Sequence, residues 1–243
     1  EAIRIFRDIL DEHPDSDRAH YYKALAHFGL GQENLGRSSL QQALRHNGNN
    51  SQAMLLMADI HLREQSLQEA EKLCNRALEI NPASLDAHIL NGRIQAARKD
   101  LSKAEESFQG TIELAPQNPL GFLYLGQLFI MQGRTNEAIT SFRRALEHNP
   151  KSLRAIQNVA RALTLLDRVE EALIFCEEQL QKHEGNRKLS SFIHTTMAAI
   201  HLQKNDMEKA RNDYMQAIDK FPEWPTPYLQ LARIYSSLGH VDE

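Results

Sequence analysis

The feature that most constrains the fold of this chain is a pattern that repeats every 34 residues. Two sets of identical residues show this spacing: Pro82, Pro116 and Pro150, and Ala70, Ala104, Ala138 and Ala172. A fixed period of this length is typical of arrays in which each unit packs mainly on its neighbours. The chain has 243 residues, so the period predicts about seven units rather than one or two globular domains.

The clearest copy of the pattern, residues 119–152, predicts a helical hairpin. Its apolar and small residues fall at helical spacing in two blocks: Phe122, Leu125, Gly126 and Phe129, then Ala138, Phe142, Ala145 and Leu146. Gly133 lies between the blocks, where glycine suits the left-handed conformation at a helix end. Pro150 ends the second helix because proline cannot continue the hydrogen-bond ladder. We expect the small residues, such as Gly126 and Ala138, to let the two helices approach closely.

This order of bulky, small, turn and proline positions resembles the tetratricopeptide repeat family, and the resemblance covers the whole chain. It implies an all-α fold, a right-handed superhelical solenoid of helix-turn-helix repeats. We expect a single array over 1–243, with half repeats at both ends. The predicted units are a half repeat at 2–14, whole repeats at 17–50, 51–84, 85–118, 119–152, 153–186 and 191–224, and a half repeat at 225–239 that includes Gly239.

Two irregularities accompany the array. The proline that follows Pro150 in the pattern is Pro222, so four extra residues are expected near 185–190, where they would change the pitch or form a hinge. The chain also starts inside a predicted helix without an initiator methionine, which is typical of a segment of a longer, bacterial-type member of the family. Its incomplete end repeats would allow head-to-tail self-association.

Composition excludes several classes of partner. The formal net charge is -4, so no basic excess is available to attract nucleic acid. No apolar run approaches the roughly 20 residues that span a bilayer, and we expect no direct membrane insertion.

Cys74 and Cys176 lie three repeats apart, too far for a disulfide. Two unpaired thiols favour the cytoplasm, with the periplasm as the alternative compartment.

The sequence predicts no catalytic, cofactor or metal site, and we do not expect an enzyme. Six of the eleven histidines fall at bulky positions of the repeat, which explains them: His20, His88 and His194 at the first, and His27, His61 and His201 at the second. No GxSxG, HExxH or CxxC motif is present. The resemblance therefore implies a scaffold that binds a peptide or protein. The alternatives are a substrate-presenting arm of a larger enzyme, or a periplasmic protein of envelope assembly or polysaccharide export.

In this family the first helices of the repeats line a concave groove, and carrying the groove positions onto three central repeats predicts a partner-binding set. Its members are Arg93, Leu120, Leu123, Gln127, Ile130, Met131, Arg154, Gln157 and Arg161. We expect the arginines to pair with acidic groups of the partner and the apolar residues to hold its apolar anchors. The alternative interpretation is that Leu123 and Ile130 pack within the array while the arginines are solvated.

Overall fold

The computed structural model describes residues 1–237, which form helices joined by short turns, and these residues include no β-strand. The predicted all-α fold of helix-turn-helix units is thus confirmed. The chain divides into two compact units, the first ending at Pro116 and the second beginning at Gln117. The division into one half repeat, six whole repeats and a second half repeat stays a prediction, and Gly239 lies outside the described residues.

The first unit contains seven helices. They are α1 (Ala2–Glu12), α2 (Asp17–Gly29), α3 (Glu33–His46), α4 (Ser51–Arg63), α5 (Leu67–Ile80), α6 (Leu85–Ala97) and α7 (Leu101–Leu114). The described part of the second unit contains seven more. They are α8 (Pro119–Met131), α9 (Thr135–His148), α10 (Leu153–Leu165), α11 (Val169–Lys182), α12 (Arg187–Gln203), α13 (Met207–Lys220) and α14 (Pro225–Ser237). Within residues 1–237, no helix combines the length and apolar character needed to cross a membrane.

The helices that open each hairpin share one kind of N-terminal cap. A side-chain oxygen accepts a hydrogen bond from a backbone N–H in the first turn at Ser16, Asn50, Ser84, Asn118, Ser152 and Asn186. Each cap satisfies a donor that has no partner inside the helix. The caps are spaced by one period, so local chemistry fixes where these six helices begin.

The turn inside each hairpin contains one residue with positive φ. Gly133 has φ 74°, which confirms the prediction of a left-handed residue there, and Asp167 has φ 57° at the same place in the next hairpin. The equivalent residue after that is Asn205, with φ 60°. Asn205 comes four residues later than the period requires because α12 has 17 residues where α10 has 13. The register shift is therefore taken up as about one extra helical turn.

Small residues do let paired helices approach closely, and the hairpin of α8 and α9 shows how. A Cβ atom added to Gly126 would lie only 2.5 Å from a ring carbon of Phe142. Phe142 is 1% exposed and Ala138 is fully buried. Glycine is thus required at residue 126 because the phenylalanine ring occupies the space of a side chain.

Candidate functional site

The three predicted arginines differ in what their charges contact. In the first unit, Arg93 donates from Nη1 to Oδ1 of Asp59 over 2.7 Å. In the second unit, the guanidinium carbon of Arg154 lies 5.4 Å from the ring centroid of Tyr124. Arg161 is exposed, and within residues 1–237 its side chain makes no ion pair or hydrogen bond. Arg161 therefore has the guanidinium most available to a partner.

The repeat explains this difference between Arg93 and Arg161. Equivalent positions of successive repeats are one period apart, and Asp59 precedes Arg93 by one period. The residue one period before Arg161 is Gln127, which carries no charge. An internal carboxylate thus neutralises Arg93, whereas the equivalent residue before Arg161 offers none.

The predicted apolar and amide residues range from buried to exposed. Leu123 is 4% exposed, so it presents almost no surface to a partner. Leu120 and Met131 are exposed, at 38% and 59%. Ile130 and Gln127 are half-buried, and Gln157 is exposed. The role of the whole set in partner binding stays a prediction.

The second unit contains a cleft of about 500 Å³ that includes two of these predicted residues, Gln157 and Arg161. Side chains of α10, α12 and α14 line most of it, and we call it the first-helix cleft. These are the helices that open successive hairpins, which is where the family resemblance places a binding groove. The cleft is concave and open to solvent, as sites for peptide segments are.

Sequence reasoning missed the part of the cleft formed by α12 and α14, because the groove positions were carried no further than the repeat at 153–186. The same positions counted from residue 191 are Phe192, Thr195, Ala199, Leu202 and Gln203, and all five line the cleft. Applying the rule to the next repeat, with the four-residue shift included, would have found them.

Two aromatic rings form one part of the cleft wall. Phe192 lies on α12 and Trp224 immediately precedes α14. Their ring centroids are 5.9 Å apart and their planes meet at 17°, which is a stacked arrangement. Trp224 is the only tryptophan of the chain. The pair gives the cleft an apolar surface suited to a flat apolar group.

The electrostatic character of the cleft is set by one residue. Among the described residues that line it, Arg161 is the only one with a charged side chain. The other polar groups are amides and hydroxyls, including Gln157, Gln203 and Gln230. Among the described lining residues, the cleft therefore combines one positive charge with otherwise neutral side chains.

The two cysteines do not provide a reactive thiolate. Burial raises the pKa of the Cys74 thiol to about 12, with a smaller contribution from Glu71. Burial likewise raises the pKa of Cys176 to about 12, aided by Asp213. Both thiols are therefore protonated near neutral pH, and Cys74 Sγ donates to the backbone oxygen of Ala87 over 3.3 Å. In the part of the chain that the structure describes, no cluster of three or more His, Cys, Asp or Glu side chains is arranged to hold a metal ion.

The ion pairs of Asp59 lead to a pH-dependent prediction for the first unit. Burial raises the pKa of Asp59, but hydrogen bonds from Arg63 and Arg93 outweigh burial and lower that pKa below its ordinary value. A lowered carboxyl pKa stabilises the folded state above about pH 4, and this contribution is lost as pH falls through the folded-state pKa. We expect Asp59→Asn to lower the urea midpoint at pH 7, with a smaller difference from wild type at pH 3.

The matched control for this prediction is Asp11→Asn, which removes an exposed carboxylate on α1. We expect its urea midpoint to stay close to wild type at both pH values. An Asp59→Asn difference that is equally large at pH 7 and pH 3 would show that the ion pairs do not contribute.

This chain is a helical-repeat protein, because its helices form pairs that repeat with the same caps. Its opening helices carry a cleft on the surface. Family models described as tetratricopeptide repeat match residues 61–123 and 129–192, and others match 34–84 and 193–219. The chain therefore belongs to the tetratricopeptide repeat family, as its sequence pattern predicts. Proteins of this family are generally non-catalytic scaffolds, and the fold indicates a scaffold for protein–protein interactions.

Solved structures show the same fold at low sequence identity. The chain matches a crystal structure of the APC/C hetero-tetramer Cut9-Hcn1 with a TM-score of 0.69 and 17% identity, over 96% of this chain and 45% of that one. It thus spans less than half of that relative. A tetratricopeptide repeat protein from Parabacteroides merdae matches with a TM-score of 0.69 and 15% identity, over 96% of this chain and 90% of that one.

The pilF protein of Pseudomonas aeruginosa is a third similar structure, with a TM-score of 0.63 and 16% identity over 89% of this chain and 96% of that one. At identities this low, the similarity shows a common fold and does not show that the proteins share binding partners. A comparison with curated proteins found no match.

Proposed function

We propose that this protein is an interaction scaffold whose first-helix cleft binds a peptide segment of another protein through apolar and acidic groups. The proposal rests on one observation, which is that the charge of Arg161 is not neutralised by an ion pair within residues 1–237. Arg161 is one of the residues that line the cleft. A guanidinium pairs with a carboxylate through charge-assisted hydrogen bonds, which are among the stronger polar contacts in proteins.

The rest of the cleft supports an apolar anchor beside the carboxylate. The stacked rings of Phe192 and Trp224 offer an apolar surface, and the cleft volume of about 500 Å³ accommodates a short run of side chains. Apolar contact contributes to affinity while the single charge orients the ligand. Together they fit a short acidic and apolar segment.

Selection from a random peptide library displayed on phage, with this protein immobilised, tests the proposal. We expect enriched peptides to combine Asp or Glu with apolar residues. Their affinity, measured by fluorescence anisotropy, should fall by roughly tenfold to a hundredfold in Arg161→Glu, because the substitution replaces an attraction with a repulsion.

The matched control is Arg144→Glu, which makes the same change of charge at an exposed residue of α9 outside the cleft. We expect Arg144→Glu to bind the selected peptides like the wild type. Equal losses in the two variants would show that net charge alone governs binding. Selected peptides without acidic residues, or binding unchanged in Arg161→Glu, would overturn the proposal.

A further inference from the structure

We infer that the first-helix cleft takes an extended, proline-containing acidic segment and not a helix. This inference rests on the proposed function and specifies the conformation and composition of the ligand. It follows from three sets of cleft groups that have no partner inside the protein: the glutamine amides, the indole N–H of Trp224 and the guanidinium of Arg161.

The glutamine amides indicate an extended ligand. Gln157, Gln203 and Gln230 lie on α10, α12 and α14, so each helix contributes one amide to the same cleft. Within residues 1–237, none of the three side chains makes a hydrogen bond. A primary amide has both donors and an acceptor, which complement a peptide group. Inside a helix the peptide groups are paired with each other, whereas an extended segment leaves them available.

The aromatic pair indicates proline. The rings of Phe192 and Trp224 stack at 17° and both residues line the cleft, so they provide an aromatic wall for a pyrrolidine ring. In the described chain, no acceptor pairs with the indole N–H of Trp224, so this donor is available to a ligand carbonyl. Proline-rich segments form an extended helix with solvated carbonyls, and they dock on aromatic-lined grooves. Proline also lowers the entropy lost on binding because its φ is already fixed.

The positive charge of Arg161 indicates that the ligand has an acidic residue near its proline. Arg161 lies on α10 and Phe192 on α12, and both line the same cleft. An extended proline-rich segment advances about 3.1 Å per residue, so a carboxylate a few residues from a proline can reach the guanidinium while the proline contacts the rings. Alternating acidic and proline residues meet this requirement in either chain direction.

The single tryptophan makes a direct test possible, because fluorescence excited at a wavelength that the six tyrosines do not absorb reports on Trp224 alone. The probe is a synthetic peptide of four Glu-Pro dipeptides with blocked ends. Its comparison peptides replace every proline with alanine, replace every glutamate with glutamine, or form an alanine-rich helix with the same number of glutamates. We expect the Glu-Pro peptide to shift the emission of Trp224 and to bind at least tenfold more tightly than each comparison peptide.

Two substitutions distinguish the contribution of the Trp224 ring from that of its indole N–H. The affinity of each variant is measured by fluorescence anisotropy with a fluorophore on the Glu-Pro peptide. Trp224→Phe keeps an aromatic ring and removes the donor, and we expect a loss of affinity of a few-fold. Trp224→Ala removes both, and the loss should exceed tenfold. Arg144→Glu again serves as the control outside the cleft.

The possible failures are distinguishable. Tighter binding of the helical peptide, with dependence on Arg161, would overturn the extended-ligand inference and leave the proposed function intact. Equal affinity for the proline and alanine peptides would show that the aromatic pair does not recognise proline. If the Glu-Pro peptide neither shifts the emission nor binds in anisotropy, the inference is wrong. The proposed function is tested separately, by whether the phage selection yields acidic and apolar peptides that depend on Arg161.

Discussion

Phe142→Ala is expected to lower the free energy of unfolding by about 3 to 5 kcal/mol. The Phe142 side chain is 1% exposed, and its ring fills the space next to Gly126, where a Cβ atom would lie 2.5 Å away. Removing the ring leaves a cavity between α8 and α9 that these helices can only partly close. The measurement is urea unfolding followed by circular dichroism.

The control for Phe142→Ala is Ile174→Ala, which truncates a side chain on α11 that is 55% exposed. We expect this control to stay within about 0.5 kcal/mol of wild type, as is usual for surface positions. A loss below about 1 kcal/mol in Phe142→Ala would mean that the hairpin repacks around the missing ring. The expectation that α8 and α9 close the cavity only partly would then be wrong.

Most of the fold could be predicted from sequence because the features that specify it are local and recur with the period. Ser152 caps α10, and Gly133 adopts the left-handed turn that its position suggests. Lys99 and Asp167 adopt the same positive φ without being glycine. Residue type alone does not reveal such turns, because positive φ is uncommon for residues other than glycine, Asn and Asp.

The candidate site was less predictable because it depends on contacts between repeats. Gln157 and Arg161, which the groove positions select, line one cleft, and their part in partner binding stays a prediction. The groove positions did not reveal that Asp59 pairs with Arg93, since a list of groove positions does not say which side chains meet. Helical spacing left open whether Leu123 faces the groove or packs within the array, because burial depends on how closely neighbouring side chains approach. The structure has Leu123 buried, at 4% exposure.

The pairing of charges along the period explains why the proposed site lies in the second unit. Asp59 neutralises Arg93 in the first unit, while Gln127 stands one period before Arg161 in the second. A partner that contacts Arg93 must compete with an existing ion pair, whereas a partner of Arg161 meets a guanidinium without one. The same type of residue at equivalent repeat positions thus has a structural role in one unit and is available for binding in the other.

The burial of Leu123 leads to a second large effect. We expect Leu123→Glu to lower the free energy of unfolding by about 3 to 5 kcal/mol, because the substitution places a carboxylate where the native side chain is 4% exposed and removes an apolar contact. Leu120→Glu is the matched control, since it makes the same change on α8 at a residue that is 38% exposed. Its expected loss is below about 1 kcal/mol.

Urea unfolding of the two glutamate variants also decides how binding experiments on this chain are interpreted. If Leu123→Glu is strongly destabilised and Leu120→Glu is not, a loss of binding in Leu123→Glu reflects unfolding, and Arg161→Glu is the variant that reports on the cleft. An unchanged unfolding midpoint in Leu123→Glu would show that residue 123 tolerates a charge and is accessible to solvent. Leu123 would then return to the set of partner-binding candidates.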